Sequence, residues 1–153
     1  MEKTLVILKP SCVERGIIGE IISRFEKKGL QLVGMKMMQL TDAILEVHYA
    51  HLKDKPYFGR VRKSMEASPV IVQCWKGIDA TQVVRNLVGV TNGRNAQPGT
   101  IRGDFSMSSQ ENIVHASDCS ESAISELKHF FNENEIFDFD TSRIPFLYAN
   151  DEF

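Results

Sequence analysis

Cysteine is scarce in this sequence of 153 residues: Cys12, Cys74 and Cys119 are three in number, far apart and in no Cys-x-x-Cys spacing. An odd, scattered set argues against a disulfide framework and against a thiolate metal centre, so all three are expected as reduced thiols. Long apolar runs are missing too. Nowhere do the roughly 18 consecutive apolar residues of a membrane-spanning helix occur. The first ten residues lack the basic start, apolar core and cleavage site of a signal peptide. The expectation is a soluble, cytoplasmic protein with no membrane partner. No basic run is dense enough to line a nucleic-acid groove. Neither a Gly-x-x-x-x-Gly-Lys-[Ser/Thr] loop nor a kinase-type glycine-rich loop is present, so any phosphate must be held by side chains. Internal repeats and low-complexity segments are absent as well.

What is present suits one domain over residues 1–153, long enough to bury on the order of 70% of the surface its unfolded chain exposes. The net charge of −2 hides an asymmetry. Residues 1–102 carry 16 Lys/Arg against 9 Asp/Glu, a net +7, while residues 103–153 carry 2 against 11, a net −9. Ordinary solvated faces can give such a split, but cations for an anionic ligand must come mainly from the first two thirds. Residues 4–8 (Thr-Leu-Val-Ile-Leu) are a continuous apolar run of strand length, ended by Lys9-Pro10. Ile17, Ile18, Ile21, Ile22 and Phe25 recur at helical spacing, and Lys27-Lys28-Gly29 supplies cations in the last turn and a terminal glycine. Residues 32–40 read as a second strand whose methionines are core filler. Thr41-Asp42 caps a short helix to about His51, a second helix covers 58–66, and residues 69–75 are a third strand. Ala80, Val83, Val84, Leu87 and Val88 mark another amphipathic helix, and a further strand reaches His115. This order predicts an α+β fold, a ferredoxin-like split βαβ with a four-stranded antiparallel sheet and helices on one face. Residues 136–153 form an irregular, Phe-rich tail expected to pack on its own or a neighbouring subunit.

Chemistry concentrates around residues 112–119, Asn-Ile-Val-His-Ala-Ser-Asp-Cys. Ile113 and Val114 favour a buried strand, and Ala116, Ser117 and Asp118 signal a turn into a helix. His115 is thus expected where a strand stops, as nucleophile, base or metal ligand, or else as a core histidine satisfied by a carbonyl. In the next helix Ala123, Ile124, Leu127, Phe130 and Phe131 make one apolar face, with Glu126 roughly 100° from its centre. If that helix folds back on its strand, Glu126 takes the proton of one ring nitrogen and leaves the other nitrogen's lone pair free to attack. His129 falls on the opposite, solvated face. Residues 89–111 carry no period, and such loops are usually functional or disordered. They hold Thr91, Arg94 and Arg102, with Arg85 just before, so that forked guanidiniums and a hydroxyl could clamp phosphate oxygens. Lys9, at the end of its strand, suits a phosphate or sugar hydroxyl or simply a solvated edge. Tyr49, Tyr57 and Phe58 fit either stacking on a nucleobase or packing of a helical hairpin. His48-x-x-His51 with Asp54 has no further ligand spacing, so no metal site built from protein ligands is expected.

Asn-Ile-Val-His-Ala-Ser-Asp resembles the signature strand of the nucleoside diphosphate kinases, which surrounds a phosphorylated histidine. Further blocks match in order: Lys9-Pro10, Arg15-Gly16, Gly19-Glu20-Ile21, His48-Tyr49, Leu52-Lys53-Asp54, and Pro-Gly-Thr-Ile-Arg-Gly-Asp-Phe over 98–105. The resemblance implies the same ferredoxin-like fold with a long phosphate-binding loop, in a single kinase-like domain over 1–153. It implies transfer of the γ-phosphoryl group of ATP to nucleoside and deoxynucleoside diphosphates by a ping-pong route. On the matching positions, His115 would be the phosphorylated nucleophile, with Glu126 and Ser117 supporting its ring and the phosphate. Arg85, Thr91 and Arg102 would bind phosphates, Lys9 and Asn112 would meet the ribose hydroxyls and phosphate, and Tyr49 would lie near the histidine. Tyr57 stands where the family usually has the Phe that stacks on the base. Mg²⁺ would ride on the nucleotide phosphates. Family members form hexamers or tetramers, and the long tail points to the hexamer.

The sequence departs from that pattern at Ser11-Cys12, where Asp-Gly is usual, and at Gly93, where proline commonly follows Thr91-Asn92. Cys119 replaces a usual Ser, and Ser109 an apolar residue of the base slot. These bear on nucleotide affinity and redox sensitivity, not on the nucleophile. Two rival readings use the same topology: a nucleotide-binding regulatory module that has lost catalysis, and a sheet-face RNA binder. The second needs exposed aromatics on two central strands, which residues 4–8 and 112–115 do not offer.

Overall fold

The computed structural model describes residues 1–152, and Phe153, the end of the expected tail, lies outside the described residues. The apolar run becomes β1 (Glu2–Leu8), which is central because Leu5 to Leu8 point apolar side chains to both faces and all are fully buried. The other strands are β2 (Gln31–Met38), β3 (Val70–Gly77) and β4 (Val114–Ala116). β3 pairs antiparallel with one edge of β1, Ile7 opposite Val72, and β4 with the other edge, Ile7 opposite His115. β2 adds outside β3, giving the antiparallel order β2-β3-β1-β4 and the expected ferredoxin-like α+β class.

The helices are α1 (Pro10–Glu14), α2 (Ile18–Lys28), α3 (Asp42–His48), α4 (Phe58–Glu66), α5 (Ala80–Val88), α6 (Ile101–Phe105), α7 (Ser120–Phe130) and α8 (Ile144–Leu147). α2 and α5 cover one face, where Ile21, Phe25 and Val84 pack with Val6, Leu8 and Trp75. The other face is covered too, beyond the single helical layer expected. Leu45 of α3, Met65 of α4 and Leu127 of α7 pack there with Leu5, Ile7 and Val72. Each buried aliphatic or aromatic side chain contributes about 1.5–3 kcal/mol, so a central strand apolar on both faces recruits both layers.

The local signals explain most boundaries. Thr41 caps α3 by accepting a bond from the Ile44 amide. Gly29 ends α2 in the left-handed region, φ 106°, where a side chain would be strained. α3 stops at His48 rather than His51, and a 3-10 turn (Ala50–Leu52) follows. The loop of 89–111 is partly ordered: Thr100 accepts from the Gly103 amide and starts α6, too short to show a period in sequence. Ile124, expected on the buried face of α7, is 56% exposed.

The charge asymmetry closes on itself. Asp138 bridges Lys3 and Lys76, Glu135 meets Lys36, and Asp104 meets Arg24, joining the acidic last third to the basic first part. Surface pairs of this kind contribute about 0–1 kcal/mol each. They hold the tail across β2, where the Phe137 amide donates to the Val33 carbonyl, but Phe137, Phe139 and Phe146 stay largely exposed on this chain. Among the described residues no helix is long and apolar enough to cross a membrane. Cys12 and Cys74 are buried and Cys119 is exposed, all three free.

Candidate active site

The site is built where β4 begins. Ile113, expected in an extended strand, instead has φ +74°, and the Val114 amide bonds the Asn112 carbonyl two residues back at 2.8 Å. This is a γ-turn of the rare positive-φ kind, strained for a β-branched residue. Packing holds it there: Ile113 is fully buried, and its carbonyl accepts the Lys9 amide at 2.9 Å. The turn delivers His115 onto the middle of a three-residue strand, its side chain 19% exposed.

α7 folds back over β1, and Glu126 meets the histidine as expected. Its Oε2 lies 2.5 Å from His115 Nε2, so a proton on Nε2 is directed to the carboxylate and the Nδ1 lone pair is left available. His129 is exposed. The sequence reading missed the significance of His48. Its ring packs edge-on against that of His115, centroids 4.5 Å apart, and against Tyr49 and Phe130. Burial, with His115 next, drives its pKa down to about 2, so it is neutral and its 3.6 Å approach to Glu126 is not an ion pair. No local spacing could have revealed this, because the partners come from α3, β4 and α7. The group His48, His51 and Asp54 considered from sequence is replaced by His48, His115 and Glu126, the set of metal-binding types whose ligand atoms lie within 4.8 Å of one another.

The cations come together as expected, though several are already engaged. Lys9 donates to Asn112 Oδ1 at 2.7 Å and to the Gln110 carbonyl at 3.3 Å. Burial, then the charge of Arg102, brings its pKa down to about 8. Asn112 uses its amide hydrogens on the Thr91 and Ser109 carbonyls, tying the loop together. Arg102 is buried and spends three of its five donors on the Asn112, Gly89 and Val114 carbonyls. It braces the γ-turn and still lines the cleft. Arg85 is held by Asp118 at 3.0 Å and is 40% exposed. Tyr49 is buried and Tyr57 is 38% exposed. Ser117 is fully buried, and its hydroxyl makes no hydrogen bond to the imidazole or to another group among the described residues. One cleft of about 1060 Å³ is lined by Lys9, Tyr57, Arg85, Thr91, Arg102 and His115, among others. It has the size of a ligand cleft, which runs to roughly 1,000 Å³, with several cations and an aromatic ring in its wall.

A family model described as nucleoside diphosphate kinase matches residues 2–136. The chain belongs to the nucleoside diphosphate kinase family. A nucleoside diphosphate kinase of Parabacteroides distasonis is 67% identical over 153 residues, covering all of both chains. One from Pyrococcus abyssi is 50% identical over 141 residues, 90% of this chain and 89% of the relative. The structure of a halophilic nucleoside diphosphate kinase from Halobacterium salinarum in complex with CDP superimposes with a TM-score of 0.94 at 39% identity, covering 96% of this chain and 98% of that one. The protein is a kinase that phosphorylates nucleoside diphosphates, and the inactive-module reading is not favoured.

The kinase's departures have structural counterparts. Cys12 packs fully into the core of α1's first turn, and burial raises its thiol pKa to about 11, so it is a poor nucleophile. Ser109 lines the cleft. Cys119 sits exposed at the N-terminal cap of α7, 3.3 Å from the Ser122 hydroxyl. Gly93 is buried. Its amide donates to the Ser108 carbonyl at 3.1 Å, and a Cβ there would lie 2.3 Å from the Ser106 carbonyl oxygen. The loop has closed on the glycine.

Proposed function

We propose that His115 is the phosphoryl carrier of this kinase, working by ping-pong between ATP and nucleoside or deoxynucleoside diphosphates. Nδ1 of His115 attacks the γ-phosphorus, the bond to the β–γ bridging oxygen breaks, and ADP leaves with the bond's electron pair. Glu126 keeps the Nε2 proton and balances the charge that develops on the ring. In the second half, a terminal phosphate oxygen of the acceptor diphosphate attacks the same phosphorus and His115 is restored. Lys9, Arg85, Arg102 and Thr91 stabilise the charge spread over the transferred oxygens. Lys9 and Asn112 meet the sugar and phosphate, Tyr57 stacks on the base, and Tyr49 backs the histidine through His48. Ser117 supports the strand end from inside, through its amide bond to Leu5. The single observation that carries the reading is the 2.5 Å contact that fixes the tautomer of a histidine opening onto a cationic cleft.

Mg²⁺ is read as carried by the nucleotide phosphates, because oxygen ligands suit it and the imidazole-rich cluster does not. Stacking and sugar contacts read no base edge, so base and sugar tolerance follows. CDP, present in the Halobacterium salinarum structure, is an acceptor of the kind the second half-reaction takes. We further read residues 1–153 as one domain of a cytoplasmic, phosphorylated homo-oligomer, a hexamer before a tetramer. Two features support assembly: β2 is an edge strand with Met35 and Met37 52% and 59% exposed, and the tail phenylalanines are uncovered on this chain.

The test is to mix protein with γ-labelled ATP and Mg²⁺, trap it, check the label for acid lability and base stability, and chase with GDP or UDP. Label on wild type that moves to the diphosphate and is absent in His115→Ala is expected. Nucleotide binding without label would sink the phosphohistidine reading.

A further inference from the structure

His48 is costly as it stands. Its side chain is 2% exposed, and among the described residues neither ring nitrogen has a hydrogen-bond partner. A buried polar group left unpaired costs about 1–3 kcal/mol, so a ring placed here with two such atoms is a ring kept for a visitor. What it faces are ligands: Glu126 Oε2 is 3.6 Å from Nδ1 of His48 and 2.5 Å from Nε2 of His115. We propose that His48, His115 and Glu126 form a site for a borderline-soft divalent metal, of which zinc is the type, and that filling it switches the kinase off.

The geometry suits that class. Two imidazoles and a carboxylate bind zinc at about 2.0–2.2 Å in a tetrahedron, whose edges are then roughly 3.4 Å. The edge between His48 and Glu126 already has this length. The edge between His115 and Glu126 must widen by about 1 Å, and the two imidazoles, whose ligand atoms lie within 4.8 Å, must close on the ion. The cleft that His48, His115 and Glu126 line leaves the fourth position to water. Magnesium, which demands oxygen ligands, is excluded by the two nitrogens.

The switch follows from the imidazole's single mobile proton. In the form ready to accept phosphate, Nε2 carries it and Nδ1 holds a lone pair. Metal bonding at Nε2 needs that nitrogen's lone pair, so the Nε2–H bond breaks and the proton is returned through cleft water to Nδ1, where an N–H bond forms. Nδ1 then has no pair to offer phosphorus. No redox change occurs and no proton is lost overall. Nucleotide binding, which does not use His48, is kept. The inhibitory part of this proposal rests on the phosphohistidine reading, whereas metal uptake does not.

Metal-free, unphosphorylated protein is titrated with Zn²⁺ by calorimetry without nucleotide, and with Co²⁺ while the visible d–d bands are recorded. One ion per chain with the intense bands of a four-coordinate cobalt site is expected, weakened at least about a hundredfold in His48→Phe. His48→Gln, which keeps a polar side chain of poor ligand strength, is the second variant should the first not fold. Zinc should also suppress labelling by γ-labelled ATP in wild type, and far less in either variant relative to its own metal-free level. Uptake that the variants leave unchanged, no uptake by wild type, or labelling untouched by bound zinc would each overturn the proposal. If metal-free wild type takes no label while zinc binding still depends on His48, the phosphohistidine reading has failed and the metal site has not.

Discussion

The two faces of the sheet are filled on different terms. Under α2 and α5 the layer is mostly apolar, with Phe25 and Trp75 rings 5.3 Å apart and both fully buried, and a large buried polar side chain, Gln73, accepts from the Trp75 indole at 2.9 Å. Under α3, α4 and α7 the equally apolar centre ends at a rim of His48, Tyr49, Glu126 and His115. The first face lowers free energy mainly by apolar burial. The second spends part of that gain on the two unpaired imidazole nitrogens of His48. The cleft draws on both layers, since Arg85 comes from α5 while His48 and Glu126 come from α3 and α7.

The largest effect is expected of His115→Ala, which should cut turnover by at least about a thousandfold while nucleotide binding and melting temperature stay near wild type. A variant that unfolds instead would make the rim structural. Phe25→Ala is the mirror case: about 3–5 kcal/mol of stability should go, measured by urea unfolding, with turnover per folded molecule retained. Lost turnover in the surviving folded fraction would show that the two layers are coupled. Glu126→Gln keeps the shape and removes the charge, so kcat should drop roughly 10- to 100-fold with a small change in stability.

The smallest expected effect is a dependence of stability on pH. His48 has a pKa of about 2 in the fold, well below the ordinary value of 6.5, so below about pH 6.5 the unfolded chain binds a proton that the native one does not. Stability is therefore intact above that pH and falls by up to about 1.4 kcal/mol per unit as the pH drops further. Urea midpoints from pH 7 to 5 should show this slope in wild type and lose it in His48→Phe. A slope that persists would assign it to the carboxylates.

Much of this was legible in the residues. The strand at 4–8, the stripe from Ile17 to Phe25 and the run from Ala80 to Val88 announced themselves because burial imposes a period. Glu126 was found because a helix margin is an angle that can be counted from sequence. His48 was not, since its partners lie on other elements and only the tertiary fold joins them. Ile113 misled because β-branching favours extended backbone, and the turn was imposed by packing and by the Lys9 bond. α6 escaped because a capped segment of five residues is shorter than any repeat that would reveal it. The placement of Ile124 failed for a simpler reason: α7 presents a narrower stripe than its composition suggested.

Gly93 is fixed by its neighbours. Where the family pattern has proline, this chain has an amide hydrogen donated to Ser108 and a backbone against which Ser106 leans. Restoring a proline would now remove a donor and drive ring atoms into a carbonyl. Gly93→Pro is therefore expected to destabilise this loop unless positions 106–108 shift with it. Gly93, Ser106 and Ser108 are thus one packed unit, in which a change at the glycine is felt at both serines.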